Sequence, residues 1–151
     1  MVMYIDLPFS KVRRCMNASP EQYALAKKWL AYAEGDLQSA KVLSAGTGVP
    51  ERNVCYLAQQ CAEKSLKALL IFWGIEISRT HDLDALLRKF PAEQREKFTE
   101  FDLSWLSEWN VEGRYPGDWP EATTDDARQA VELAEAIHKR AASVMASRGR
   151  A

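Results

Sequence analysis

The sequence predicts an all-α protein, an antiparallel four-helix up-and-down bundle with one extra short helix. Apolar residues recur every three or four positions over stretches of roughly 20 to 25 residues. No segment alternates apolar and polar residues as a half-buried strand would. Glycine and proline cluster between the periodic stretches, where the short connections of such a bundle belong.

Ser19-Pro20-Glu21-Gln22 reads as a helix start. Serine caps the free amides, proline occupies a position that needs no amide partner, and glutamine completes a capping box. The first helix runs to about residue 45, with Trp29, Ala33, Leu37 and Ala40 as its inner seam. Gly46-Thr47-Gly48 ends it, glycine being suited to a left-handed C-terminal cap.

The second helix starts at Pro50 and stops at Gly74. Leu57, Cys61, Leu66, Leu69 and Phe72 point inward with Ala58, Ala62, Ala68 and Trp73, while Gln59, Gln60, Glu63, Lys64 and Lys67 share the remaining face. A short third helix opens at Ser78 or Thr80 and carries Leu83, Leu86 and Leu87 toward Pro91. The fourth runs from Pro91 to about residue 110, with Phe98, Phe101, Trp105 and Trp109 inside and Trp105 in the core.

Residues 111–122 hold two glycines and two prolines and form a loop. The fifth helix begins at Thr123 or Thr124. Asp125 and Asp126 stand in its first turn, and Lys139, Arg140, Arg148 and Arg150 lie toward its end, as the helix dipole favours. Its seam is Ala127, Ala130, Val131, Ala134, Ile137, Ala141 and Val144.

The 151 residues suit one domain, and 47% apolar with 27% charged residues suits a folded chain. We expect an irregular extension over residues 1–20, with a basic cluster at Lys11, Arg13 and Arg14, the bundle over 21–147, and a short basic tail over 148–151. A formal net charge of −1 excludes a general field for nucleic acid, so polyanion binding would need a local basic patch. Cys15, Cys55 and Cys61 are odd in number and lack a CxxC pair. With only two histidines, this argues against a disulfide framework or metal site and for a reducing, cytoplasmic setting. The N-terminal apolar run is broken by Asp6 and too short for a signal core, and residues 68–75 are too few to span a membrane. No cofactor is expected.

The second helix carries the most informative chemistry. Its stripe of two amides, one carboxylate and two ammonium groups can bind a polar ligand or a protein surface. As a solvated face it amounts to a Glu63–Lys67 pair, worth a few tenths of a kcal/mol.

The order of motifs resembles the HEPN domain family, named for higher eukaryotes and prokaryotes with nucleotide binding proposed. The matching pieces are Trp29 with Ala33-x-x-Asp36-Leu37-x-x-Ala40, then QQCAEKSLKALL over residues 59–70, then Thr80-His81-Asp82-Leu83 with Leu86-Leu87. Arg114-Tyr115-Pro116 and Thr124-x-Asp126-Ala127 complete the series, which spans about residues 22–145. The resemblance implies a helical bundle, frequent dimerisation and a minimal nucleotidyltransferase as partner. Many members of the wider superfamily are metal-independent ribonucleases of toxin–antitoxin systems.

That ribonuclease branch carries an arginine followed, after four to six residues, by a histidine, so that imidazole moves a proton while guanidinium braces the phosphate. Here Arg79 precedes His81 with one residue between, and Arg128 stands ten positions before His138. Counting from Arg114, the histidine positions hold Trp119, Pro120 and Glu121. The expected function is therefore a non-catalytic module that binds nucleotide or RNA, forms a homodimer and pairs with a nucleotidyltransferase-type partner. Gln60, Lys64, Lys67, Arg79, His81, Arg114 and Tyr115 are its candidate contacts. Trp119 and Trp109 could add stacking surface, although Trp109 also reads as core. His81 could equally fix the start of the third helix, and Arg114 could be an ordinary loop charge. The alternative is a metal-independent endoribonuclease toxin with a non-standard site around His81, on which Arg79 or Arg114 would have to converge.

Overall fold

Local sequence signals set the frame on which everything else is hung. In the computed structural model, which describes residues 18–148, helix α1 is Pro20–Ala45. Its Ser19 hydroxyl accepts from the Gln22 amide, and the Gln22 side chain accepts from the Ser19 amide. Helix α2, Glu51–Phe72, ends in a Schellman motif in which the amides of Gly74 and Ile75 reach the carbonyls of Ile71 and Leu70. Gly74 makes this possible with φ of +69°.

Helices α3 (Leu83–Arg88), α4 (Ala92–Arg95) and α5 (Leu103–Glu112) are short, and α6 (Thr124–Arg148) is the third long helix. Thr123 and Asp126 cap α6 reciprocally, the threonine hydroxyl accepting from the Asp126 amide and the carboxylate from the Thr123 amide. No helix among the described residues is long and apolar enough to cross a membrane.

Chain direction alternates along α1, α2, α5 and α6. Tyr23 against Phe72 and Asp36 with Lys64 set α2 antiparallel to α1, and Glu34 with His138 and Lys41 with Glu135 do the same for α6. Cys61 beside the Ala134 carbonyl and Ser65 beside His138 show α6 running parallel to its neighbour α2. The end of α5 returns to the start of α2, where Gly113 packs against Tyr56 and the Arg52 carbonyl. Helix α2 therefore lies in the middle and touches α1, α3, α5 and α6. Ala26, Ala33 and Ala40 of α1 and Ala127, Ala130, Ala134 and Ala141 of α6 are fully or almost fully buried. Their small side chains let the backbones approach closely. Cys55 and Cys61 are buried free thiols that burial pushes up to about 12, so both are inert near neutral pH.

Several expectations need correction. The fourth helix is two pieces, because Asp102 accepts from the Trp105 amide and starts a new helix after a 3₁₀ turn at Glu96–Phe98. The aromatic rhythm survives this break. Phe98 meets Phe101 and Trp105 meets Trp109, each pair with ring centroids 6.0 Å apart, within their own segments. The bundle thus has three long helices and the ten-residue α5 instead of four long ones. Asp82, not Ser78 or Thr80, caps α3 by accepting from the Ala85 amide. Gly46 is extended, and Gly48 supplies the left-handed residue of that turn with φ of +77°. Trp29, Trp105 and Val131 are half-buried at the edge of the core. The expected N-terminal cluster at Lys11, Arg13 and Arg14, together with Cys15 and Arg150, falls outside the described residues.

Phe98 is fully buried between Phe90 and Phe101, so Phe98→Ala should cost about 3 to 5 kcal/mol. Trp105→Ala should cost clearly less. Urea denaturation of both variants checks this, and equal losses would contradict the split of the fourth helix into an inner and an edge segment.

Candidate nucleic-acid interface

Residues 59, 63 and 67 lie at i, i+4 and i+8, so they form one stripe of α2. That stripe is not solvated. Gln59, Glu63 and Lys67 are 0%, 5% and 7% exposed, because the chain following α2 folds back across them. Glu63 accepts from Lys67 Nζ at 2.7 Å, Gln59 Nε2 at 3.2 Å and His81 Nδ1 at 3.0 Å. Gln59 also donates to the His81 carbonyl at 3.2 Å, fixing the backbone that carries the imidazole. Burial by itself would raise the Glu63 carboxyl. The bonds from Lys67 and His81 and the Lys67 charge outweigh it and hold the group below the ordinary carboxylate value. An ionised carboxylate only accepts, so Nδ1 of His81 carries the proton and donates. The His81 side chain is 51% exposed, and its Nε2 has no protein partner among the described residues.

The other expected contacts divide into two groups. Lys64 pairs with Asp36 of α1, and Gln60 donates to Gln59 Oε1 at 2.7 Å. With Lys67 on Glu63, three of the seven candidates therefore have their polar heads engaged by the protein. Arg79 is exposed and makes no ion pair among the described residues.

Arg114 and Tyr115 stand at a separate corner. Arg114 Nε donates to the Asn110 carbonyl at 2.8 Å, and its guanidinium lies 5.1 Å from the Tyr115 ring centre and 5.7 Å from that of Tyr56. Beside it opens a cavity of about 370 Å³ lined by Arg52, Trp109, Glu112, Tyr115 and Trp119 among others. The Glu112 carboxyl is raised first by burial and then by the charges of Glu108 and Asp126. A Cβ on Gly117 would collide with the Trp119 ring, so glycine is what lets this indole lie against the loop.

The seven candidates do not share one cavity. His81 belongs to the level of Glu63 and Arg114 to that of Tyr56, seven residues apart and about 10 Å along α2. Both lie on the same stripe of that helix, since 56, 59 and 63 follow helical spacing. The sequence reading missed Gln59 and Glu63 as the groups that orient His81, and Glu112 as a cavity residue. His138 is structural. It is buried, 2.7 Å from Glu34 and 3.2 Å from Ser65, and Arg128 pairs elsewhere, with Asp125 and Glu132. Burial lowers His138 despite the neighbouring Glu34 charge. Among the described residues no cluster of His, Cys, Asp and Glu could hold a metal ion.

Acid should lower the stability of the fold in two stages. His138 is depressed on folding, so its contribution is complete above the unfolded value of 6.5 and is lost as pH falls below it. Glu63 is also depressed, and its contribution is lost as pH falls below 4.5. Urea denaturation against pH checks the signs. His138→Gln should flatten the first stage and Glu63→Gln the second, whereas unchanged slopes would contradict both assignments.

The HEPN domain family model matches residues 26–144. A Methanocaldococcus jannaschii protein named "Putative toxin MJ1304" is 33% identical over 128 residues, covering 74% of this chain and 82% of its own. The crystal structure of ST0689, an archaeal HEPN homologue, is similar with a TM-score of 0.61 at 30% identity, over 80% of this chain and 97% of that one. The crystal structure of TT1696 from Thermus thermophilus has a TM-score of 0.62 at 25% identity, over 78% and 96%. With its motifs, helical order and most of its length in agreement, the chain belongs to the HEPN domain family.

Proposed function

We propose that this HEPN protein binds nucleotide or RNA without cutting it, as a homodimer paired with a minimal nucleotidyltransferase-type protein in a cytoplasmic toxin–antitoxin setting. One observation carries the binding half. His81, oriented by Glu63, and Arg114, braced over two tyrosine rings, stand on one side of α2. Guanidinium offers phosphate a planar fork, tyrosine offers a base a stacking face, and imidazole exchanges hydrogen bonds near neutral pH. Arg79 is a further exposed cation two residues before His81. Cleavage without metal needs the proton-moving and phosphate-bracing groups at one phosphate. Here Arg114 is about 10 Å along α2 from His81. The toxin name of the archaeal relative favours the paired setting.

A second reading has its own support. An imidazole whose Nδ1 donates to a buried carboxylate, with no partner for Nε2 among the described residues, is arranged as a general base would be. An endoribonuclease at His81 would cleave RNA in the presence of a chelator and lose that activity in His81→Ala.

Titration with single-stranded RNA separates the contacts. Arg114→Ala should weaken binding about tenfold and reduce its salt dependence, while Lys64→Gln should change affinity less than about twofold because Asp36 already holds that ammonium. Unchanged affinity in Arg114→Ala would overturn the binding face. Purification without any co-purifying nucleotidyltransferase would count against the partner.

A further inference from the structure

We infer that the cavity beside the Arg114 loop is a site for one unpaired purine base, guanine by preference, with its phosphate toward Arg114. The inference rests on the nucleotide- or RNA-binding reading above and names the base that reading would select. The cavity, about 370 Å³, falls in the range of small-molecule sites. Two accessible rings belong to its lining, Trp119 held against Gly117 and the exposed Tyr115. Stacking on such rings suits any base and gives no choice among them.

A carboxylate supplies the choice, because Glu112 lines the cavity. The N1–H and N2–H of guanine donate to a carboxylate together, whereas adenine presents one donor beside an acceptor and makes only half of that contact. The terminal nitrogens of Arg114 have no protein partner among the described residues, since only Nε is engaged, by Asn110. They are placed to receive a phosphate. A bare anion fits poorly, because Glu112 and Glu121 put two carboxylates in the same lining.

Calorimetric titration of the full chain with GMP, AMP, CMP, UMP and orthophosphate tests this. GMP should bind at least about tenfold more tightly than AMP, and orthophosphate should give no heat. Glu112→Gln should shift the preference toward AMP, since an amide pairs with adenine. Gly117→Ala, which displaces Trp119, should weaken all four nucleotides. Equal affinity for GMP and AMP, or orthophosphate competing as well as GMP, would overturn the site. Pentauridylate with a central guanosine or adenosine in place of uridine distinguishes an RNA source from a free nucleotide. If RNA binds with no base preference and Glu112→Gln leaves it unchanged, the base site falls while the binding face stands. If GMP binds with this preference but the unaltered protein binds no RNA, the site stands without the face.

Discussion

A carboxylate in the middle helix governs the arrangement of the candidate interface. Glu63 sits in α2, which is covered by α1, α6, α5 and the chain leading into α3, so it must be satisfied from within the protein. Lys67 supplies the charge, Gln59 an amide, and His81 the third donor. Leaving such a group unpaired costs several kcal/mol, whereas the intact cluster contributes little net stability over an apolar one. Its value is in placement. The same bonds that satisfy Glu63 fix the segment after α2 and set the imidazole of His81 at the surface in one tautomer.

The rest of the fold serves that placement. Alanine-lined α1 and α6 close on α2 without large side chains between them, and the edge-to-face run of Trp73, Phe90 and Phe98 seals one end. At the other end α5 brings Gly113 against the start of α2 and releases the loop that carries Arg114 and Tyr115. The two chemically interesting corners are thus mounted on rigid helices, with their spacing fixed by two turns of α2.

Much of the fold was legible because its signals are local. Ser19 with Gln22, Thr123 with Asp126, Gly74 and the alanine seam of α6 each state their role within a few residues. The break inside the expected fourth helix was hidden because Phe98, Phe101, Trp105 and Trp109 keep helical spacing across it. Asp102, three residues before Trp105, was the available signal. The candidate site was less legible. A Gln-x-x-x-Glu-x-x-x-Lys stripe has the same spacing whether water or protein covers it. What covers it here comes from residue 81, a long-range fact that helix periodicity does not carry. Lys64 and Lys67 therefore read as available to a ligand and are not, while Arg114 and Tyr115 emerge exposed beside a cavity.

Membership of the HEPN family fixes the architecture, and the placement of individual side chains decides what this member can do with it. The proposed recognition without cleavage rests on the arginine–histidine spacing in the sequence and on the separation of His81 from Arg114 along α2. The most direct measurement is the ¹⁵N–¹H correlation of the His81 imidazole by NMR, at a pH where the ring is neutral. The account predicts a proton on Nδ1 and a free Nε2, with this preference lost in Glu63→Gln. A proton on Nε2 in the unaltered protein would mean that Glu63 does not hold the ring, and the account would fail at its root.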